Sequence, residues 1–367
     1  MMLNENINPI NFNMVMGNPP YQLDNNGSKI PLWPDFIYLG SKVGEDTTLI
    51  HPGRWLNPSV TLEKVNYGIT TKTGMKEFEY YESDETFPSC DITGGITITN
   101  YKKGYKGAIK HNEGNKILYN NKYLLDEFEE EIIQKIDKNV YKKNMLARIL
   151  PPTIKFDKKQ YAKDLQDTPD GILHPIRIWC SKEFGQGSLM AWYYIDRYKI
   201  RNIKDNYLVR KVQISIYGGE LASSKNQAPI INNNIDIVLD KNTIGSCFFC
   251  VPENDTFYDL KLIQSLFCTK TARFLMSITQ KNFHVKGFEN IPDYLYFKEE
   301  LENLSKKSEE EQENLIKNRY NIYVDENGER KFIFSDQYFY DKFKFSANLI
   351  NHIESKLCSK TITEEVI

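Results

Sequence analysis

The sequence predicts an α/β fold in which the ends of the strands carry function. Two short apolar segments, Phe12–Gly17 and Thr47–His51, predict buried strands. Between them, Ile30–Val43 has the spacing of large apolar side chains that is typical of a helix. Ligands of α/β sheets bind at the carboxyl ends of the strands, so we expect the loops after these strands to be functional.

The remaining elements follow from the same kind of pattern. A helix with an acidic face is predicted at Leu124–Ile136, and the clearest helix, with a stripe of apolar side chains, at Phe257–Gln280. We also predict strands at Glu77–Tyr81, Gly95–Asn100, Leu189–Ile200 and Lys211–Tyr217, a solvated helix at Lys298–Glu313, and a last amphipathic helix at Asp336–Leu357.

Composition and charge fit an ordinary soluble globular protein with about two domains. The chain has 367 residues, 26% charged residues and a net charge of -2. This average conceals a basic middle, because residues 140–211 contain 15 Lys and Arg against 7 Asp and Glu. Residues 298–313 reverse the balance with 7 Glu against 3 Lys. The small net charge therefore does not exclude a protein that binds nucleic acid.

No metal site or membrane segment is expected. Among six cysteines only Cys247 and Cys250 are close, and the two phenylalanines between them favour a buried strand over a zinc site. The five histidines form no pattern of metal ligands or of a nucleophile with its base. Residues 1–13 lack the features of a signal peptide, and no run approaches the ~18 apolar residues of a membrane span. We therefore expect a cytoplasmic protein.

The most informative motif is Asn18-Pro19-Pro20-Tyr21, which follows the first predicted strand. The side-chain oxygen of Asn18 and the carbonyl of Pro19 can both accept hydrogen bonds from one NH2 group. Two acceptors on one amine draw it toward sp3 geometry and localise its lone pair, which allows a poor nucleophile to attack an electrophilic methyl group. Pro20 stiffens the loop, and Tyr21 offers a flat face to a base that has left its stack. The alternative interpretation is a Pro-Pro turn with an Asn cap.

This motif and several later segments resemble one family in order along most of the chain. Phe12–Gln22 resembles the catalytic motif of adenine-specific N6 DNA methyltransferases, and the longer similarity is to those of bacterial restriction–modification systems. Further segments similar to this group are Ile50–Trp55, Phe87–Ile96, Arg273–Leu275 with Asn290–Asp293, and Ile353–Lys356.

The resemblance implies a partial Rossmann-like methyltransferase sheet, then a mixed α+β target-recognition domain and a helical C-terminal tail. We assign these to residues 1–139, 140–298 and 299–367. The implied reaction transfers a methyl group from S-adenosyl-L-methionine to an adenine flipped out of double-stranded DNA. Asn18 and Pro19 are the implied residues that hold the target amine. The basic positions that we predict to contact DNA are Lys102, Lys103, Lys199, Arg201, Arg210 and Lys211.

The chain departs from this family in its cofactor site. Only 17 residues precede Asn18, too few for the strand, loop and helix of such a site. The downstream glycine motifs Phe184–Ser188 and Tyr217–Gly219 are weak substitutes. We therefore expect the cofactor-binding portion to lie outside this chain and name a complementing methyltransferase subunit or a restriction endonuclease as a candidate partner. The alternative is a catalytically inert DNA-binding module that only recognises a target.

Overall fold

The computed structural model describes residues 11–25, 28–56, 69, 73–81, 83–87, 92, 95–111, 114–119, 123–140, 143–150, 162–180, 191–200, 203, 207–214, 235–245, 247–278 and 285–357. The chain divides into two compact units. The first takes the described residues up to Lys135, together with Ile278, Val285 and Lys286, and the second takes the others. Helices and strands occur in both units, so the α/β class predicted from the sequence is confirmed at this level.

The first unit is built around a sheet with a helix between its first two long strands. Its strands are β1 (Phe12–Gly17), β2 (Gln22–Asn25), β3 (Ser28–Pro31), β4 (Gly44–Pro52), β5 (Met75–Tyr81), β6 (Ile96–Lys102), β7 (Ile109–His111), β8 (Gly114–Tyr119) and β9 (Tyr123–Leu125). Its helices are α1 (Trp33–Val43), the short α2 (Ser83–Thr86) and α3 (Glu127–Val140), which continues into the second unit.

Seven strands form one mixed sheet in the order β1-β4-β6-β5-β7-β8-β9. Strands β1 and β4 are parallel, with α1 in the crossover that a parallel pair requires. Strand β6 is antiparallel to both β4 and β5, and β5 is parallel to β7. Strands β1 and β4 run in the same direction, so their last residues, Gly17 and Pro52, lie at the same end of the sheet. We call this end the carboxyl edge.

Helix α1 covers one face of the parallel pair. Trp33 and Ile37 of the helix are buried in one apolar cluster with Leu49 of β4. Gly40 permits the close approach of helix and strand, because a Cβ atom at this position would lie 2.6 Å from Cγ2 of Thr47. The amphipathic pattern predicted for Ile30–Val43 is therefore confirmed as a helix, which begins at Trp33 because Ser28–Pro31 pairs as a strand with β2.

The structure confirms the strand Phe12–Gly17 but corrects its predicted burial. Phe12, Met14 and Met16 project to one face of β1 and are 50%, 57% and 70% exposed. An apolar run indicates that the side chains of a strand are suited to burial. Whether they are buried depends on another segment that packs against them. Among the described residues, no strand pairs with the free side of β1.

The second unit combines small sheets with most of the helices. Its strands are β10 (Ile149–Leu150), β11 (Pro175–Cys180), β12 (Ala191–Asp196), β13 (Lys211–Ile214), β14 (Ile235–Val238), β15 (Thr243–Gly245), β16 (Phe248–Cys250), β17 (Asn321–Val324) and β18 (Arg330–Ile333). They form the sheets β10-β16-β13-β14, β12-β11-β15 and β17-β18. Its helices are α4 (Phe257–Cys268), α5 (Lys270–Ile278), α6 (Leu295–Leu304), α7 (Glu309–Lys317), α8 (Asp336–Phe343) and α9 (Ala347–Lys356).

Three helices that the sequence predicts as continuous are each two helices in the structure. The breaks lie at residues with capping side chains: the Thr269 hydroxyl donates to the Leu266 carbonyl at 2.7 Å and accepts from Ala272 N at 3.2 Å. Ser308 forms a capping box with Glu311 at the start of α7, and Ser346 caps α9. Of the helices in the described part, none is long and apolar enough to cross a membrane.

A buried ion pair ties the start of the second unit's first sheet to the segment before α6. Nε of Arg148 donates to both carboxylate oxygens of Asp293, at 2.9 and 2.8 Å, and Nη1 donates to Glu253 at 2.9 Å. The guanidinium also lies 5.0 Å from the centre of the Tyr294 ring. Because Arg148 and Asp293 are both buried, each supplies the counter-charge that the other needs.

Candidate functional site

The Asn18–Tyr21 loop leaves the sheet at its carboxyl edge. Gly17, directly before it, pairs with Leu49 of the neighbouring strand. Pro19 is buried, whereas Asn18 is exposed and its side chain makes no hydrogen bond within the described part of the chain. The loop ends where the Tyr21 carbonyl accepts a hydrogen bond from Leu32 N at 3.0 Å. The loop is thus anchored at both ends, with a free amide side chain at the surface.

His51 lies two residues beyond Leu49 and forms part of the buried face of the sheet. Its Nε2 is 2.9 Å from the Thr99 hydroxyl, and its ring stacks on Trp33 at a centroid distance of 4.8 Å. Burial lowers the pKa of His51 from 6.5 to about 4. The imidazole is therefore neutral at neutral pH, and it is enclosed, so it is not placed to act as a general base on a ligand at the surface.

Arg54 is a further candidate at this edge, which the sequence analysis did not name as a site residue. It is exposed in the 3-10 turn Gly53–Leu56 that follows β4, and within the described residues it has no ion-pair partner. The turn is fixed by Trp55, which is buried and donates to the Thr97 hydroxyl at 2.9 Å. The sequence contained a signal for it, because Arg54 lies three residues after the predicted strand Thr47–His51, whose end we expected to be functional.

The two lysines predicted to contact DNA in the first unit lie at the opposite end of the sheet. Lys102 pairs with Asp46, near the beginning of β4, whereas the loop that follows β1 lies beyond Leu49. Lys103 N donates to the Glu45 carbonyl at 2.9 Å, and its side chain is 3.5 Å from the Glu45 carboxylate. Both lysines are exposed. The structure thus separates them from the Asn18–Tyr21 loop along the strand direction.

In the second unit, the predicted DNA contacts that are described already have partners inside the protein. Lys199 is exposed and forms an ion pair with Asp164. Arg210 Nε donates to the Asp255 carboxylate at 2.6 Å. Arg201 lies outside the described residues.

Lys211 differs from these surface cations because its side chain is fully buried. Its ammonium donates to the carbonyl oxygens of Tyr207 and Thr243. Burial lowers its pKa from 10.5 to about 8. Lys211 therefore stabilises the interior of its sheet and cannot reach a phosphate in this conformation.

The Cys247–Cys250 segment is buried at β16, as the sequence predicts. Both thiols are free, and burial raises the pKa of each above its ordinary value. A thiol with a raised pKa is a poor nucleophile, because the thiolate is the reactive form. These cysteines therefore serve the apolar core of the second unit.

Within the described residues, the segments that directly follow the two strands of the parallel pair contain no glycine-rich loop leading into a helix, as a nucleotide-binding site requires. Strand β1 is followed by the Asn18–Tyr21 loop and β4 by the Gly53–Leu56 turn. The residues that end these two strands therefore do not fit a cofactor-binding loop. The sequence candidates Phe184–Ser188 and Tyr217–Gly219 lie outside the described residues.

Comparison with known proteins gives one sequence similarity. No protein-family model matches the chain. A stretch of 114 residues is 27% identical to a protein of Mycoplasma pneumoniae described as an uncharacterized adenine-specific methylase, and it covers 28% of this chain and 26% of that protein. The similarity thus spans about a quarter of the length of the curated relative.

Solved structures align only loosely. The type IIL restriction-modification enzyme MmeI, in complex with DNA, aligns over 93% of this chain and 53% of its own, with a TM-score of 0.36 and 12% identity. The type IIG restriction endonuclease BpuSI aligns over 89% and 48%, with a TM-score of 0.29 and 10% identity. A type I methyltransferase subunit from Streptococcus thermophilus aligns over 38% and 34%, with a TM-score of 0.23 and 15% identity. TM-scores this low do not establish a shared fold. The sequence similarity, over a limited stretch, is to a protein described as an uncharacterized adenine-specific methylase.

Proposed function

We propose that this chain carries the catalytic loop and the target-recognition portion of a DNA adenine N6-methyltransferase of a restriction–modification system. The observation that carries the proposal is the exposed Asn18 side chain, free of hydrogen bonds within the described residues, at the carboxyl edge of the sheet. Its anchoring by a buried Pro19 fits a group that must keep a fixed position while it waits for a ligand. The similarity to an adenine-specific methylase supports the same class.

In this proposal the loop acts on the exocyclic amine of a flipped adenine. The amide oxygen of Asn18 and the carbonyl oxygen of Pro19 accept the two hydrogen bonds of the amine and localise its lone pair. Pro20 restricts the backbone so that both acceptors keep their directions. Flipping the base costs a few kcal/mol of lost stacking and pairing. Tyr21 packs against the flipped base and recovers part of this energy. The methyl group would come from bound S-adenosyl-L-methionine: the new N–C bond would replace the S–C bond, the thioether would leave, and the amine would lose one proton to water.

The chemistry of the loop does not depend on a titrating side chain. His51 lies in β4, two residues after the partner of Gly17. Its burial lowers its pKa, so its ring is neutral and enclosed and cannot serve as the base. Activation of the amine therefore comes from hydrogen-bond acceptors with fixed positions. Electrostatic stabilisation of this kind requires no reorganisation at the moment of reaction.

Arg54 is our candidate for a phosphate contact beside the flipped nucleotide. It shares the carboxyl edge with Asn18, and its guanidinium has the donor geometry that suits a phosphate. Lys102 and Lys103 remain candidates for a separate contact with the duplex backbone, and Arg201 remains a candidate from sequence alone. Lys199 and Arg210 would have to exchange an aspartate for a phosphate, and we leave Lys211 out of the proposal because it is buried.

The test is transfer of labelled methyl groups from S-adenosylmethionine to adenine-containing duplex DNA. The chain is assayed alone and together with the products of neighbouring genes. We expect transfer by at least one combination, and we expect Asn18→Ala to lower it by ~100-fold or more, as the loss of a group that acts in the transition state does. Asn327→Ala is the matched control, because Asn327 lies in the turn between β17 and β18, is exposed, and makes no side-chain hydrogen bond within the described residues. No transfer in any combination would contradict the proposal.

The second candidate function is a DNA-binding module without catalysis. It is favoured by the described segments that follow β1 and β4, Asn18–Tyr21 and Gly53–Leu56, because neither is a cofactor-binding loop. Calorimetry with S-adenosylmethionine and salt-dependent DNA binding distinguish the two functions. Sequence-selective DNA binding, with no heat of cofactor binding and no methyl transfer in any combination with neighbouring gene products, supports the module.

A further inference from the structure

The sheet β12-β11-β15 of the second unit has two unlike faces. On one face Ile176, Ile178 and Ile195 are buried in an apolar cluster. Successive side chains of a strand point to opposite faces, and the register pairs Arg177 with Tyr194 and Trp179 with Trp192. These four side chains therefore share the other face, and each is partly exposed: Arg177, Trp179, Trp192 and Tyr194. We call them the β11–β12 aromatic face.

Arg177 has a fixed position on this face. Its guanidinium lies 4.4 Å from the centre of the Trp192 ring, and the Trp179 ring packs on Trp192 at a centroid distance of 5.0 Å. A cation held over an indole ring gains a favourable electrostatic contact. The stacked guanidinium is also restricted before any ligand arrives, so less conformational freedom is lost when it binds one.

The polar groups of this face are donors without acceptors. The guanidinium of Arg177, the indole N–H of Trp192 and the hydroxyl of Tyr194 make no hydrogen bond or ion pair in the part of the chain that the structure describes. Buried polar atoms ordinarily have a partner, yet Nε of Arg177 is enclosed and has none among these residues. The two terminal nitrogens are therefore the donors that a ligand can reach.

Arg177 differs in this respect from the cations that charge counting selected. Lys199 and Arg210 already bind aspartates, and Lys211 is buried beneath its sheet. Arg177 keeps its charge available on a partly exposed face. A positive charge beside two further donors suits a ligand that is negatively charged and rich in acceptors, as DNA is.

The shape of the donor group indicates which part of DNA it suits. In the major groove guanine presents O6 and N7 side by side, and two terminal guanidinium nitrogens match this pair of acceptors. A phosphate is bound by any mobile cation at the surface, whereas Arg177 is partly enclosed and held by a ring. Rigid donors with one direction favour the recognition of a base.

We propose that Arg177, held over Trp192, determines specificity by reading a guanine in the target duplex. This inference rests on the proposed function, because the DNA ligand comes from it. Arg177 lies within residues 140–298, which we assign to target recognition. The stacked guanidinium and the three donors without acceptors are the observations that select it among the basic residues of this portion.

Selection from a library of random duplexes tests the role of Arg177. The full chain is used alone and with the products of neighbouring genes, and fluorescence anisotropy then measures duplexes in which each selected G·C pair is replaced by A·T. We expect the wild type to prefer guanine about tenfold or more at one position that Arg177→Gln no longer distinguishes. We expect Arg177→Gln to keep its preferences at the other positions, which also shows that it is folded.

Two further variants sharpen the comparison. Arg177→Met keeps an unbranched stem against Trp192 but has no donor, and we expect the same loss at the same position. Arg330→Gln is the matched control, because Arg330 binds Glu313 at 2.6 Å in the sheet β17-β18, and we expect wild-type preferences throughout. Uniform weakening on all duplexes with the guanine preference intact, as loss of a phosphate contact gives, overturns the proposal. So does unchanged binding by Arg177→Gln.

Failure of this inference and failure of the proposed function give different results. Methyl transfer together with selective binding that Arg177→Gln leaves unchanged contradicts the role of Arg177 and leaves the function standing. Loss of one guanine preference in Arg177→Gln, where no combination transfers a methyl group, contradicts the function and leaves the role of Arg177 standing. Binding of all sequences equally by the wild type overturns both.

Discussion

His51 is a fully buried residue of the first unit with a strongly lowered pKa. Its pKa is lowered from 6.5 to about 4 because burial disfavours the imidazolium, and its ring stacks on Trp33 at a centroid distance of 4.8 Å. In the unfolded chain the same group titrates near its ordinary value. Between these two values the unfolded state binds more protons than the folded state, so the free energy of unfolding falls as the pH falls.

We therefore expect the protein to lose about 2 kcal/mol of stability between pH 7 and pH 5 through this one residue. The loss levels off below about pH 4, where both states are protonated. Urea unfolding at the two pH values measures it, with His51→Gln as the variant that removes the titration. An equal pH dependence in wild type and variant would show that His51 is not the group responsible.

Arg54 makes a prediction about DNA. If its guanidinium binds a phosphate beside the loop, Arg54→Ala weakens duplex binding and lowers the slope of log affinity against log salt by about one. Lys103→Ala is the comparison at the opposite end of the sheet. Fluorescence anisotropy over a salt series gives both slopes. An unchanged slope for Arg54→Ala would contradict a phosphate contact beside the loop, whatever the slope for Lys103→Ala.

A count of charges along the sequence does not show which cations are available to bind DNA. The basic excess of residues 140–211 is real, but Lys211 is buried and Arg210 binds Asp255, 45 residues later in the chain. No local pattern predicts such long-range partners. In contrast, the position of a loop after a strand is a local feature, and Asn18 is exposed in the loop that follows β1.

At the scale of elements, the contact between α1 and β4 depends on one glycine. A Cβ atom on Gly40 would lie 2.6 Å from Cγ2 of Thr47, which is closer than such atoms approach. We expect Gly40→Ala to destabilise the protein by about 1–3 kcal/mol, although alanine ordinarily favours a helix by about 1 kcal/mol over glycine. In a Thr47→Ala background the clash is gone, so the same substitution becomes neutral or stabilising.

Chemical denaturation of this double-mutant cycle measures the contact. A destabilisation by Gly40→Ala that persists unchanged with Thr47→Ala would mean that the close approach is not the cause.

Element positions were largely predictable, whereas element ends were not. Strands β1 and β5 and helix α1 lie where periodicity places them, because alternation and helical spacing are local signals. The three divided helices show what periodicity misses. The apolar stripe continues across Thr269, Ser308 and Ser346, but their side chains bond to the backbone and begin a new helix at each break. Ser308 with Glu311 was the one break with a readable capping-box signature.

At the scale of the whole molecule, the chain contains two units with different tasks in our account. The first presents the Asn18–Tyr21 loop at the carboxyl edge of a mixed sheet, and the second contains most of residues 140–298, which we propose as the target-recognition portion. The parallel direction of β1 and β4 could be anticipated from the strand–helix–strand order. The antiparallel return of β6 and the open side of β1 could not, because both depend on pairing between distant segments.

The most direct test of the account is a map of methylated adenines in the genome of the cells from which the gene comes. Native cells supply every partner and every target site, so the result does not depend on knowing either. Single-molecule sequencing compares cells that express the wild-type chain with cells that express Asn18→Ala. We predict that N6-methyladenine disappears from one class of recognition site in the variant. An identical map in both strains would contradict the claim that Asn18 acts in adenine methylation.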